Sequence, residues 1–143
     1  MVKKNGYIDM VGDLFHYGHL RLIQKIHNMG YNVIVGIHDD KTVESYKRKP
    51  ILNMKERIEI IQSCKYIDFV IPNAPLIITK KYLEENNIDM VFHAHSLEEK
   101  DKYENMYKIP TKMEKFTRMD YTKNISTTEI INRILTRNNS KKL

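Results

Sequence analysis

Short apolar runs alternate along this chain with longer stretches in which apolar residues return every three or four positions. Tyr7-Ile8-Asp9-Met10-Val11, Val33-Ile34-Val35-Gly36-Ile37, Phe69-Val70-Ile71 and Met90-Val91-Phe92-His93 are runs of the first kind. Their length and β-branched content suit buried parallel strands. Pro72 ends the third, and Lys115-Phe116-Thr117 is a weaker fifth. Between them the period changes. Leu20, Ile23, Ile26 and His27 fall on one helical face, and Gly30 follows where a helix C-cap belongs. Asn53 with Glu56 three later marks another helix start, carrying Ile58, Ile61 and Cys64 on one side. Thr79 to Asn86 reads as a further helix. Ser126-Thr127-Thr128-Glu129 reads as a capping box opening a last one, with Ile130, Ile131, Ile134 and Leu135 as its apolar stripe.

Strands and helices in alternation predict an α/β fold: a mainly parallel five-stranded sheet with helices on both faces. Ligands of such sheets bind at the carboxyl ends of the strands. His16, His38, His93 and the Ser126 cap all fall near that edge. No repeat, linker or low-complexity segment breaks the 143 residues, which suit a single domain over 1–137 with a polar, disordered tail at 138–143.

The formal charge of +6 favours an anionic partner. The basic clusters, Lys47-Arg48-Lys49 and Lys141-Lys142, are short and not interleaved with aromatics, which argues against nucleic acid and for a small polyanion. The single cysteine, Cys64, forbids an internal disulfide, suits a reducing compartment and is expected to be a buried thiol. No apolar run is long enough to span a membrane, and no signal-peptide core follows the first residues.

The stretch richest in chemistry is Asp13-Leu14-Phe15-His16-Tyr17-Gly18-His19. It reads as a strand end, a turn and a helix start. Two histidines would sit beside free backbone N–H groups, with a glycine that admits a phosphate. Four readings compete. The histidines could be caps that merely pack. They could be half of a zinc set completed by His93 and His95. They could belong to a hydrolase, although no serine or cysteine lies beside them. They could grip phosphate with two cations and a helix N-terminus.

That stretch resembles the HxGH signature of the nucleotidyltransferase superfamily, and Ile125-Ser126-Thr127-Thr128 resembles its second signature in the form carried by cytidylyltransferases. The resemblance runs from about Tyr7 to Leu135. It implies a Rossmann-like nucleotidyltransferase fold and transfer of CMP from CTP to a phosphorylated alcohol. Within the family it leans toward the ethanolamine-phosphate enzymes, with glycerol 3-phosphate and choline phosphate as alternative acceptors. An adenylyltransferase is a rival inside the superfamily, and a non-catalytic nucleotide- or nucleic-acid-binding module is one outside it. By the same resemblance, His16, His19 and Lys47 are catalytic. Val11, Gly12, Asp13, His16, His19, His93, Thr122, Ile125, Ser126 and Thr127 bind the nucleotide, and Asp9, Lys47 and Tyr121 bind the acceptor. Mg2+ arrives with CTP, and the protein is a cytoplasmic homodimer. Asp68 is structural or lies at the dimer contact.

The chain departs from the family pattern at several points. Met10 and Gly12 stand where a glycine and an aromatic are usual. Tyr121 replaces an arginine that meets the triphosphate. Ala94-His95 replaces an aspartate or glycine pair. Leu76 stands where choline enzymes place a tryptophan, and an aromatic cage is what a quaternary ammonium wants. Asp9 alone could meet a primary ammonium.

Overall fold

The computed structural model describes residues 2–140. Its sheet has five strands, β1 (Asn5–Met10), β2 (Asn32–Ile37), β3 (Phe69–Ile71), β4 (Met90–Ala94) and β5 (Phe116–Met119), in the order β3-β2-β1-β4-β5. Every pairing is parallel, so the sheet expected to be mainly parallel is wholly so. Six α-helices and a 3-10 turn (Leu97–Glu99) join and follow the strands: α1 (Tyr17–Asn28), α2 (Asp40–Glu44), α3 (Met54–Gln62), α4 (Lys80–Glu85), α5 (Lys100–Lys112) and α6 (Thr127–Asn139).

Side chains alternate across each strand, and the core therefore splits in two. Ile8, Val33, Val35, Ile37 and Phe92 pack with Ile23 and Ile26 of α1 and Ile61 of α3. Tyr7, Ile34 and Val91 pack on the other face with Leu83 of α4 and Tyr103 and Tyr107 of α5. Gly36 lacks a side chain for a visible reason. A Cβ there would stand 2.1 Å from the Tyr7 hydroxyl, which lies across β2.

The helix ends follow the sequence closely. Gly30, at φ +93°, takes the left-handed position after α1. Asn53 and Glu56 close a complete capping box on α3. Asp68 is structural: its Oδ2 accepts from the Val33 N–H at 2.7 Å.

Several expectations change. Ser126 caps α6 through its hydroxyl, but Glu129 turns to Arg133 instead of closing the box. α6 runs through Asn138 and Asn139, so the helix extends into the segment expected to be a disordered tail; 141–143 lie outside the described residues. The stripe on α6 buries none of its residues. Cys64 is half-buried, at the edge of the first core, and not enclosed. Neither α2 nor α5 was legible in the periodicity. α5 is largely charged, contains Pro110 and kinks at Tyr107.

β1 lies between β2 and β4, and the chain leaves it in one direction and returns on the other side. Their carboxyl ends form the switch point where a crevice opens in sheets of this order.

Candidate active site

The turn after β1 sets the floor. Gly12 takes φ +66°, and a Cβ there would meet Ile61 Cδ1 at 2.4 Å, so only glycine lets this backbone lie against α3. The chain then enters α1 through a cap made of histidines. His16 Nδ1 accepts from the Gly18 N–H at 3.0 Å, and His19 Nδ1 accepts from the His16 N–H at 3.1 Å. This is a capping box in which two imidazoles replace the usual hydroxyl and carboxylate. An Nδ1 that accepts carries no proton, so each neutral ring holds its proton on Nε2. The rings stack at 3.9 Å between centroids. A side chain on Gly18 would stand 2.9 Å from His16 Cε1 and displace that ring.

Burial lowers the pKa of His16. It brings His19 down to about 3, with the neighbouring His16 and Lys47 adding to the effect. The expectation of two cations is therefore corrected. In the free protein these are neutral rings, each able to donate through Nε2–H, and a second proton would cost the cap its acceptor.

The second signature closes over the first. Thr127 Oγ1 donates to the Asp13 carbonyl at 3.1 Å and accepts from His16 Nε2 at 3.3 Å. Ser126 Oγ accepts from the Glu129 N–H at 3.0 Å, which caps the N-terminus of α6. Asn124, at φ +64°, turns the backbone into that cap. Thr122 Oγ1 is buried with no hydrogen-bond partner, the one such side-chain atom among the described residues.

Lys47 enters from the loop after α2. Asp13 fastens that loop, its Oδ2 and Oδ1 accepting from the N–H groups of Ile51 and Leu52 at 2.8 and 2.9 Å. Its carboxylate is thus committed to the protein, although the residue lines the cleft as expected. Arg48 reaches Thr128 Oγ1 at 3.3 Å and bridges this loop to α6. Burial lowers the Lys47 pKa, Lys102 lowers it further, and Asp9 partly offsets both. Arg57, which the sequence reading passed over, is fully buried below. It donates to the carbonyls of Val11, His38 and Leu52 and to Asp40 Oδ1. One guanidinium so ties the ends of β1 and β2 to the lysine loop.

The far end of the cleft is built around Asp9. Its Oδ1 accepts from the Tyr107 hydroxyl at 2.6 Å, and its Oδ2 lies 3.3 Å from His38 Nε2. His38 Nδ1 meets the Tyr46 hydroxyl at 2.7 Å. His93 stands against Tyr103 and Tyr107, at 4.6 and 4.8 Å between centroids, which puts it at the Asp9 end. Burial brings its pKa down to about 4. Tyr121 is half-exposed at the mouth; burial raises its phenol, which faces Glu99 and Tyr103.

All the residues expected to bind or react line this one cleft of about 630 Å3. Leu76 is not among its lining residues. Glu99, Lys102 and Tyr103 are, and the sequence reading named neither Glu99 nor Lys102. The available signal was the spacing of Tyr103 and Tyr107, one helical turn apart. No group of three His, Cys, Asp or Glu side chains suited to a metal forms among the described residues, so His93 and His95 do not complete a zinc set with His16 and His19.

The arrangement can receive a polyphosphate between two helix N-termini, donate to it from two imidazoles and hold a second anion near Lys47. The Cytidylyltransferase-like family model matches residues 12–133. The probable choline-phosphate cytidylyltransferase of Schizosaccharomyces pombe is 37% identical over 90% of this chain and 36% of its own length. The ethanolamine-phosphate cytidylyltransferase of Dictyostelium discoideum is 31% identical over 90% of this chain and 36% of its own. That of Arabidopsis thaliana is 34% identical over 90% and 32%. The chain spans about a third of the length of these relatives. Among solved structures, the lipopolysaccharide core biosynthesis protein of Thermoplasma volcanium shares the fold with a TM-score of 0.64 at 19% identity, over 83% of this chain and 98% of that one. The pantoate-beta-alanine ligase of Francisella tularensis has a TM-score of 0.51 at 17% identity, over 94% and 70%. With the family match reaching from the turn before α1 into α6, the chain belongs to the cytidylyltransferase-like family.

Proposed function

We propose that this chain transfers CMP from CTP to the phosphate of a phosphorylated amino alcohol, with phosphoethanolamine as the acceptor. The observation that carries the reading is the histidine capping box. It holds the Nε2–H of His16 against Thr127 at the N-terminus of α6, where a triphosphate would lie, and keeps the Nε2–H of His19 in the same cleft. An acceptor phosphate oxygen attacks the α-phosphorus, a new P–O bond forms, and the bond to the bridging oxygen breaks as pyrophosphate leaves with the electron pair. The acceptor is already an anion and needs no strong base, so catalysis rests on placement and on stabilising charge. His16 and His19 donate to the phosphate oxygens that gain charge. The Ser126 cap and the partnerless Thr122 hydroxyl suit the β- and γ-phosphates, and Lys47 draws the acceptor phosphate inward.

Asp9 supports an acceptor with an ammonium group. Its carboxylate belongs to a residue that lines the same cleft as Lys47, and glycerol 3-phosphate offers it no cation. The names of the three relatives, choline-phosphate once and ethanolamine-phosphate twice, denote acceptors with an ammonium beside a phosphate. Phosphocholine is the second reading, favoured by the aromatic walls of Tyr103 and His93 next to Asp9.

Mg2+ enters as part of the nucleotide. Two carboxylates of the cleft are engaged, Asp13 with two backbone N–H groups and Glu99 with Ser96. The ion would neutralise the departing pyrophosphate while the triphosphate itself supplies its ligands. Excess chelator should abolish turnover.

No helix of the described residues is long and apolar enough to cross a membrane. Cytoplasmic placement and a homodimer complete the proposal. The shallow groove of Phe15, Leu20, Ile60, Cys64 and Tyr66, beside Lys65, supports a contact near α1 and α3. Light scattering at micromolar concentration tests the dimer. The reaction is tested by a matrix of nucleoside triphosphates against phospho-alcohols, read by pyrophosphate release. CTP with phosphoethanolamine should give the highest rate; release with ATP alone, or with glycerol 3-phosphate but neither amino alcohol, refutes the reading.

A further inference from the structure

Family resemblance puts an arginine at the position of Tyr121, and this chain carries no cation there. The Tyr121 phenol turns instead toward Glu99 and Tyr103, where the chain enters α5. From that same helix Lys102 enters the cleft. Its side chain lies along Tyr103, with the amine 5.2 Å from the ring centroid. It makes no ion pair among the described residues. Glu99, which lines the same cleft, has its Oε1 occupied by the Ser96 N–H and hydroxyl, both at 3.1 Å.

Lys102 and Lys47 line the same cleft, and after burial Lys102 is the strongest influence lowering the Lys47 pKa. The two lysines come from separate supports, a helix and a loop pinned by Asp13. Like charges held together in a partly dry cleft repel, and an anion placed between them relieves the repulsion. The position of Lys102 identifies the anion. α5 also carries Tyr107, which bonds Asp9, whereas the triphosphate cradle of His16, His19 and Ser126 belongs to α1 and α6.

We propose that Lys102 and Lys47 form a two-cation clamp on the phosphate of the acceptor, with Lys102 as a substrate-binding residue. The clamp rests on the cytidylyl-transfer reading and adds to it the second group that holds the acceptor. Lys102 delivers the positive charge missing at Tyr121, from a different element and to a different phosphate.

The test is steady-state kinetics of Lys102→Gln and Lys102→Arg with CTP and phosphoethanolamine. Lys102→Gln should lower kcat/KM for the acceptor roughly tenfold, chiefly through KM, and leave KM for CTP within about threefold. The melting temperature should not move, because the side chain is exposed. Lys102→Arg should restore most of the loss. An unchanged KM for the acceptor, or a loss that falls on CTP, overturns the clamp. Titration calorimetry with inorganic phosphate provides a readout that needs no turnover. Lys102→Gln should bind phosphate roughly fivefold more weakly than the parent. If the parent transfers CMP to no acceptor and the variant still loses phosphate, the reaction fails and the clamp stands. Equal phosphate binding in parent and variant overturns the clamp whatever the activity.

Discussion

Arg57→Met keeps the length of the side chain and removes its charge and donors. Arg57 is 0% exposed, and its partners are three main-chain carbonyls and Asp40. Asp40 is 38% exposed and can turn to water when the guanidinium is gone. The carbonyls of Val11, His38 and Leu52 have no such recourse. An abandoned buried acceptor costs about 1–3 kcal/mol, so the three carbonyls together, each toward the lower part of that range, should cost about 3–5 kcal/mol. The melting temperature of a domain this size should fall by roughly 10–20 °C, since each kcal/mol shifts it by about 3–4 °C. Calorimetry and circular dichroism should report the fall together. Arg57→Lys keeps the charge but offers one point in place of a fork, and should recover less than half. Turnover at a temperature where the variant remains folded should also drop, because Val11 and Leu52 flank the two loops that carry the cleft. A melting point within about 3 °C of the parent would falsify this account of Arg57 as the tie between those loops.

Three further outcomes follow from the site. His16→Ala or His19→Ala should lower turnover roughly a hundredfold, because each removes a donor aimed at developing charge; retention of turnover within a few-fold of the parent in both would sink the proposed roles. His19 and His93, with pKa values brought down to about 3 and about 4, stay neutral in the fold. The unfolded chain takes up those protons below about pH 6.5, so stability is full above that pH and falls as pH drops through the window down to the folded values. At pH 5 each histidine should remove about 2 kcal/mol, and urea unfolding of His93→Gln should show about half of the parent's acid loss from this pair; an undiminished loss contradicts the assignment. Asp9→Asn should cut the efficiency of phosphoethanolamine by roughly ten- to a hundredfold, an ionic hydrogen bond being worth about 1.5–3 kcal/mol, with KM for CTP little changed. A parent that uses glycerol 3-phosphate and ignores phosphoethanolamine returns Asp9 to a purely structural role.

What the sequence made legible was local. A glycine after a helix, an asparagine three before a glutamate and a β-branched run each act within a few residues, and α1, α3 and the inner strands lay where those signals put them. The two signatures were legible for the same reason, since each is a turn joined to a helix cap. Illegible features depended on distance along the chain. Arg57 meets Val11 across 46 residues, and Asp13 meets Ile51 across 38. No period or motif announces such ties. α5 was hidden by its own composition, because a charged helix with an internal proline carries a weak stripe, and Tyr103 and Tyr107 alone anchor its middle. The stripe on α6 was read as apolar, and the fold buries none of it. Periodicity shows which face is greasy, but not whether anything covers it.

The histidine cap also has a thermodynamic consequence. A free imidazole turns about two side-chain bonds, and an enzyme that must stop such rotors when substrate arrives loses affinity to their lost disorder. Here the first turn of α1 stops them, because each ring is already bound to a main-chain N–H that the helix would otherwise leave bare. That ordering is completed when the chain folds. The reacting phosphates therefore meet donors whose directions were set by helix initiation, and none of the binding free energy is needed to align them.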